Sequence, residues 1–549
     1  MLVNSILPCY APSATDGVYW DVQHSLGTPN PRQSHSRSLA YAACNKARLL
    51  LGFLAVEKTS GEGQRSFRGL STQTKKRRLR NGLHMTELLT AESEKRALPM
   101  TPGDRRAAGK RLRDRVPRDV HAVWREAAAY TRDPIGILRT ADAARQPELV
   151  PLRYGRMLQS PFTFYRGSAG VMAADLAGTP TTGIHVQACG DCHLLNFGGF
   201  ATPERRLIFD INDLDETLPA PWEWDVKRLA ASFVLAARAN GLRDVDGRDA
   251  AVACARSYRR KMRDFAAMNL LDIWYGRIDH NDILAMLPKK YKAMLRKRIA
   301  KATVATSSEL VFPKLVEHTG EQPRIRDAPP TIFHADPSLV ADNMDKLRDA
   351  VGRYRETLAE DRRVLLDHYR LVDAAIKVVG IGSVGTLCMV ALMISTAGHP
   401  LFLQVKQANA SVLEAYAGKS TYAHHGERVV HGQRLMQPAS DLFLGWVTGT
   451  EGRHYYVRQL RDVKLTPRVE TYDAEMLSIY GKVCGWALAR AHAKAAGDPW
   501  TISGYLGNGG QFDEAMGKFA LIYADQAERD HAALKAAVRN GIVEVQLEH

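Results

Sequence analysis

Apolar positions recur along this chain at two spacings, and the change between them divides it. "WDVKRLAASFVLAARANG" (224–241) repeats at helical spacing and meets a stop at Gly241. "DVHAVWREAAAY" (119–130), residues 250–300, "MDKLRDAVGRYRETLAEDRRVLLDHY" (344–369) and "AEMLSIYGKVCGWALARAHAKA" (474–495) predict further helices. Shorter apolar runs, "GIHVQACGD" (183–191) and "RRLIFDINDLDE" (205–216), have strand length. The turn residues of "GGFATPER" lie between them and predict that the two strands form a hairpin. Four more strand candidates cluster later: "IKVVGIGSVG", "PLFLQVKQA", "DLFLGWV" and "HYYVRQLRD". Residues 301–345 read as an irregular, Pro-rich connection. The pattern predicts an α+β protein, a helix-rich body flanking a small strand-rich unit at about 375–465.

Composition changes this picture at the N-terminus. Residues 1–100 lack sustained periodicity, apart from a helix candidate near 38–56, and read as a poorly ordered extension. The net charge of +16 suggests a nucleic-acid footprint until it is located. Residues 1–118 hold 21 Lys and Arg against 9 Asp and Glu, so twelve of the sixteen charges belong to that segment. A basic arm that touches nucleic acid is open there; the body of the protein gives no such signal. Seven cysteines, an odd number with one close pair, do not make a disulfide framework and predict a reducing cytoplasm. "MLVNSILPCYAPSATDG" lacks the basic start of a signal peptide. Val378 to Ala397 has no charged residue over 20 positions, the length of a membrane span. Gly380, Gly382 and Gly385 make it a weakly apolar one, and no membrane role is expected.

"VQACGDCHLLNFGGF" (186–200) supports three chemistries. Cys189-x-x-Cys192-His193 spells a c-type haem attachment site, and its cysteines spell a metal or redox pair. Haem attachment needs export, structural zinc a second ligand pair, and a redox dithiol a better helix start than "HLLNFGGF". Two cysteines packed as small apolar groups is the simpler account. Phosphoryl transfer uses more of the residues: a carboxylate to orient or deprotonate the acceptor, and oxygen ligands for magnesium. Protein-kinase-like folds carry base and metal-binding Asn five residues apart, as Asp191 and Asn196 are. Asp210, 14 residues on at the end of an apolar strand, is the expected second metal ligand. Asp213 and Asp215 are candidate supporting or substrate-contacting groups, and His193 a brace for the loop.

A nucleotide-cradling half is expected elsewhere in the chain. "VVGIGSVGT" (378–386) brings Gly380, Gly382, Ser383 and Gly385 within reach of phosphates. Lys406, on a strand 21 residues past Gly385, is the phosphate-contacting lysine, with Glu427 or Glu414 to pair it. Arg166, in "FYRGSAG", is a candidate anion contact. A dinucleotide-binding turn would want an acid near position 405, where Val405, Lys406 and Gln407 stand. The glycine loop follows the catalytic loop by about 190 residues, the reverse of the usual order, so the two-lobed kinase-like fold is expected to be circularly permuted.

Gly190-Asp191-x-His193-x-x-Asn196 resembles the catalytic loop of aminoglycoside and choline kinases, with Cys189 where those often carry histidine. Asp225 matches the structural aspartate after their metal-binding strand. Over roughly residues 104–540 the chain resembles the bacterial domain-of-unknown-function family 2252, placed in the protein-kinase-like superfamily. The stretches that carry this include "LVPLRYGRMLQSPFTFYRGSAGVMAADLA", "CGDCHLLNFGGFATPERRLIFDINDLDETLPAPWEWDVKRLAASF", "KVVGIGSVGT", "GQRLMQPASDLFLGW" and "FALIYADQAERDH". Gln407 stands where Glu is expected and Cys192 where Ala is usual. The resemblance implies the superfamily's fold and a nucleotide site, but no substrate. The expected organisation is a basic extension (1–103), a helix-rich large lobe (104–370), a small antiparallel-sheet lobe (371–465) and C-terminal helices completing the large lobe (466–549). The expected activity is ATP- and magnesium-dependent phosphoryl transfer to a hydroxyl acceptor, with nucleotidyl transfer or a non-catalytic nucleotide-binding scaffold as alternatives.

Overall fold

The computed structural model describes residues 100–124, 132–303, 312–319, 322–334, 340–378, 380–460, 463–496 and 498–547. The chain divides into units of residues 1–97 and 98–549, and the described residues belong to the second. The helix candidate at 38–56 and most of "WREAAAY" lie outside them.

Prolines in the first turn open four of the first five helices among the described residues, where a missing N–H costs no hydrogen bond. These are α1 (Pro102–Arg115), α2 (Pro134–Asp142), α3 (Val150–Leu158) and α4 (Pro161–Gly167), followed by α5 (Ala169–Ala177). Strands β1 (His185–Ala188), β2 (Phe197–Ala201), β3 (Leu207–Ile211) and β4 (Leu218–Pro221) come next. Helices α6 (Trp222–Ala239), α7 (Asp244–Phe265), α8 (Leu270–Tyr275), α9 (His280–Met286) and α10 (Lys289–Thr303) complete the first helical run. The expected hairpin changes partners. β1 pairs with β4, and β3 pairs with β2, which is the "FGGFA" read from sequence as turn. Two glycines disguise that strand; Leu465 packs against the bare face of Gly199.

Residues 301–345 are more regular than their composition suggests, with strands β5 (Val316–Thr319), β6 (Gln322–Ile325) and β7 (Ile332–Phe333). The expected long helix is two, α11 (Val340–Arg355) and α12 (Glu360–Asp367). Strands β8 (Tyr369–Lys377), β9 (Cys388–Ser395) and β10 (Pro400–Gln407) follow, then α13 (Glu414–Ala417), α14 (His425–Met436), β11 (Gly445–Thr448), β12 (His454–Gln459) and β13 (Lys464–Leu465). The chain ends with α15 (Ala474–Ala496), α16 (Pro499–Leu506) and α17 (Gln511–Arg539). Six strands form one antiparallel sheet in the order β11-β12-β10-β9-β8-β7, while β13 joins the β2–β3 hairpin. The uncharged stretch 378–397 is the glycine turn plus β9, an inner strand. Val390, Leu392 and Ile394 enter the core on one face of the sheet, and Ala391 and Met393 that on the other. A strand covered on both faces has no reason to alternate. No helix among the described residues is long and apolar enough to cross a membrane.

A larger core gathers α5, β1, α6, α7, α15, α16 and α17. Its axis is α6, whose residues Trp222 to Ala237 are all buried. The ionisable groups on that helix survive burial because each finds a partner. Glu223 accepts from the Thr182 amide at 2.7 Å, Lys227 donates to the Thr179 hydroxyl at 3.0 Å, and Asp225 and Arg228 serve the loop described next. Cys189 and Cys192 are buried in this core. Cys192's hydrogen bond draws the Cys189 thiol down, but burial together with the nearby Asp225, Asp191 and Asp213 carboxylates outweighs it and pushes the pKa up to about 11.

Candidate functional site

Asp191 leaves β1 on a turn that α6 fixes. The Asp225 carboxylate accepts from the Cys189 amide at 2.6 Å and the Gly190 amide at 3.0 Å, and lies 3.1 Å from His492 Nε2. Gly190 has φ +86°, and a Cβ there would sit 2.4 Å from the Glu216 carbonyl oxygen, so only glycine fits. One helical turn beyond Asp225, Arg228 donates through Nε to Asp191 Oδ1 at 2.8 Å. Its Nη2 donates both to Asp191 Oδ1 and to the Tyr165 carbonyl, and its guanidinium lies 4.4 Å from the centre of the Tyr165 ring. Asn196 donates to the Asp191 carbonyl at 2.7 Å, closing the loop. His193 stands with Nε2 3.8 Å from Asp191 Oδ2, and burial pushes its pKa down to about 3, so it stays neutral.

Asp210 is placed differently from expectation. It is fully buried in β3 and accepts from Arg490 at 2.6 Å; burial raises its pKa against the pull of that arginine. The segment after β3 instead brings Asp213 and Asp215 forward. Lys406, on β10, is hydrogen-bonded to Asp215 Oδ2 and 3.9 Å from Asp213. The Tyr456 hydroxyl, on the neighbouring strand, donates to Asp215 Oδ1 at 2.6 Å. Burial alone would raise Asp215, but the Lys406 ammonium and the Tyr456 hydroxyl hold it down to about 2. Burial likewise acts to lower Lys406, and the two carboxylates outweigh it and hold its pKa well above the usual value. Asp213 is raised by burial and by Asp215, and its Oδ1 has no hydrogen-bond partner. Neither expected glutamate reaches Lys406. Glu427 faces His431 at 3.7 Å one turn along α14, and Glu414 accepts from the Ser411 amide at 3.3 Å. Asp215 has taken the position because the turn after β3 runs directly under β10.

The glycine loop lies in the same joint, tied to the helical body. Arg156 donates to the Gly380 carbonyl at 2.6 Å, the Gln146 amide to the Gly385 carbonyl at 2.7 Å, and Arg145 to the Val384 carbonyl at 2.5 Å. A Cβ on Gly382 would lie 3.9 Å from Asp191 Oδ2 and 3.3 Å from the Arg166 carbonyl oxygen. Gln407, found where Glu was expected, accepts from the Leu387 amide at 3.0 Å and anchors the loop's far end. Cavities of about 740 and 920 Å³ open beside this joint. Both walls include Arg166, Asn196, Asp213, Gly380 and Ser383. Lys406 lines only the first, and Asp191, His193, Asp215 and Gly382 only the second. Asp210, Glu414 and Glu427 line neither.

No group of three His, Cys, Asp or Glu side chains converges as a metal site among the described residues. Magnesium does not require one, since it commonly takes one or two protein oxygens and completes its shell with phosphates and water. Asp213, whose buried Oδ1 accepts no hydrogen bond, and Asn196 on the same walls fit that donor set.

The molecule is thus an α+β protein with a charged cleft where an antiparallel sheet meets a helical body. A family model covers residues 145–537, and the chain belongs to that family, domain-of-unknown-function family 2252, described as an uncharacterised protein conserved in bacteria. No curated protein and no solved structure matches it. Sequence reasoning missed Arg228, Tyr456 and Arg490. Arg228 alone had a signal, its position three residues after Asp225 on one helical face.

Proposed function

We propose that this protein is an ATP- and magnesium-dependent phosphotransferase built on a circularly permuted kinase-like plan. One observation carries the proposal. Lys406 and Asp215, 191 residues apart and in reversed order, meet in a buried joint that also holds the glycine loop and Asp191. Structural ion pairs are common, but this one sits between two cavities whose shared wall carries a buried carboxylate oxygen that accepts no hydrogen bond.

In this reading Asp191 orients the acceptor hydroxyl and takes its proton through Oδ2, because Arg228 already occupies Oδ1. Lys406 holds the nucleotide phosphates. Asp215, steadied by Tyr456, positions the lysine, the part that sequence gave to Glu427 or Glu414. Asn196 and Asp213, in place of Asp210, hold magnesium, which when bound would neutralise phosphate charge. Asp210 keeps Arg490 in place behind the loop.

The test is label transfer by the full-length protein, with magnesium and a panel of hydroxyl-bearing metabolites, from γ- or α-labelled ATP. Movement of the γ label, lost in Asp213→Asn and Lys406→Met with circular dichroism unchanged, is the expected result. Movement of the α label would make the protein a nucleotidyltransferase. Failure of calorimetry to detect magnesium-dependent ATP binding would end both.

A further inference from the structure

Among the charged groups around the cleft, Arg166 stands apart. Arg145 is bonded to the Val384 carbonyl, Arg153 to Asp142 and the Gly167 carbonyl, and Arg228 to Asp191. Arg428 bonds the Thr217, Asp215 and Asn409 carbonyls, and Arg458 bonds Gln404. Each pairing is what burial of a guanidinium requires, since arginine does not shed its proton in proteins. The Arg166 side chain finds no hydrogen-bond or ion-pair partner among the described residues, and its Nε is buried. Asp191 and Asp213 act on it electrostatically, but neither comes within ion-pair distance. Its backbone is fixed: α4 starts on the Ser160–Thr163 capping box, and the Arg166 carbonyl lies against Gly382.

The two cavities differ in charge. The first is lined by six basic side chains, Arg166, Arg205, Lys377, Lys406, Arg458 and Lys464, against Asp213 and Asp441. The second has five carboxylates, at 133, 191, 213, 215 and 216, against Arg145, Arg153 and Arg166. A polyanion suits the first chamber and an uncharged or cationic hydroxyl compound the second. Arg166 belongs to both.

We propose that the nucleotide occupies the basic chamber, that the acceptor enters through the acidic one, and that Arg166 is a catalytic residue gripping the phosphoryl group as it crosses between them. This rests on the phosphotransferase reading above and goes further, giving each substrate a chamber and the transfer point a cation. In the step, the acceptor oxygen forms a bond to the γ-phosphorus and its proton passes to Asp191. The bond from that phosphorus to the bridging oxygen breaks, and its electron pair leaves on ADP. The three equatorial oxygens carry the charge in between, and a planar guanidinium fork matches them.

Magnesium–ADP with aluminium fluoride mimics that state without requiring the acceptor. In the wild-type full chain it is expected to bind roughly 10²-fold more tightly than magnesium–ADP alone. Arg166→Ala should lose most of that gain while binding magnesium–ADP within about twofold of wild type. Arg166→Lys should recover part of the gain, because charge is kept and the fork is lost. Removing a charge that has no partner among the described residues should leave the melting temperature unchanged or raised. If Arg166→Ala keeps the full gain, or melts well below wild type, the assignment of Arg166 is wrong and the phosphotransferase reading stands. If wild type binds magnesium–ADP without any gain, phosphoryl transfer and Arg166's part in it fall together; if it binds no nucleotide, the site itself has been misread.

Discussion

Lys406 has a side chain only 4 % exposed, and its ammonium depends on Asp215. Breaking a buried pair by removing one partner leaves the other charge stranded, at a cost of about 3 kcal/mol or more. Asp215→Ala should lower urea-measured stability by about 3 kcal/mol, and Lys406→Met in the same chain should restore part of it. The pH dependence has a definite sign. Asp215 is held down from 3.8 to about 2, so its contribution is complete above the unfolded value and disappears as pH falls through about 2. The stability gap between wild type and Asp215→Asn should be flat above pH 4 and close between about 4 and 2; a gap that opens on acidification would contradict the pairing. Asp210→Ala should unfold the protein more readily than Asp213→Ala, because Arg490, buried at 1 % exposure, loses its carboxylate. Here sequence and structure part for a plain reason. Spacing from Asn196 picked Asp210, but spacing counts residues and not the direction a side chain takes. Every residue of β3 is buried, so the carboxylates that reach a cavity are on the turn after it.

Helix α14 packs so closely that a Cβ at either of two of its glycines would collide with a neighbour. A Cβ on Gly426 would lie 2.2 Å from the Tyr455 carbonyl oxygen, and one on Gly432 would lie 2.2 Å from Thr217 Cγ2. The first obstacle is backbone of β12 and cannot turn aside. Gly426→Ala should therefore destabilise the protein by about 2–3 kcal/mol despite alanine's better helix propensity, with a lower melting temperature as the readout. A gain in stability would show that the helix can slide on the sheet. Helices α6 and α15 were legible from their periodicity, and strands β10 and β12 from their short apolar runs. Close packing was not, since a sequence shows glycine without showing what approaches it. β9 was hidden for another reason: burial on both faces erased the alternation that marks a strand, leaving an uncharged run that resembled a membrane segment. The β1–β4 pairing was invisible because partner choice is set by α6, which follows β4 directly and draws it alongside β1.

The helical body and the six-stranded sheet each have their own large apolar core. The joint between them combines small apolar clusters, Leu152 with Val378 and Val384 and Ile381 with Leu138 and Tyr154, with directional polar bonds. Arg428, 2 % exposed, donates from α14 to the carbonyls of Thr217, Asp215 and Asn409. Gln437 donates to the Ile211 carbonyl at 2.7 Å, and Lys406 bonds Asp215. Apolar burial is indifferent to direction, whereas these bonds demand one register between sheet and body, the register that also aligns the glycine loop with Asp191. The order of elements reinforces this: the chain enters the helical core before the sheet and returns to it through α15 and α17, so the sheet is an excursion held at both ends. Arg428→Ala removes three donors and leaves their carbonyls short, at about 1–3 kcal/mol for each that finds no water. Calorimetry of wild type should give one unfolding transition, because coupling across the joint makes the two cores melt together. In Arg428→Ala the sheet should melt first, splitting the peak in two, and nucleotide added at high concentration should merge the peaks again if it bridges Lys406 and Asp213. A single peak merely shifted to lower temperature would mean that the apolar contacts beneath the joint already bind sheet to body, leaving the polar bonds to set alignment alone.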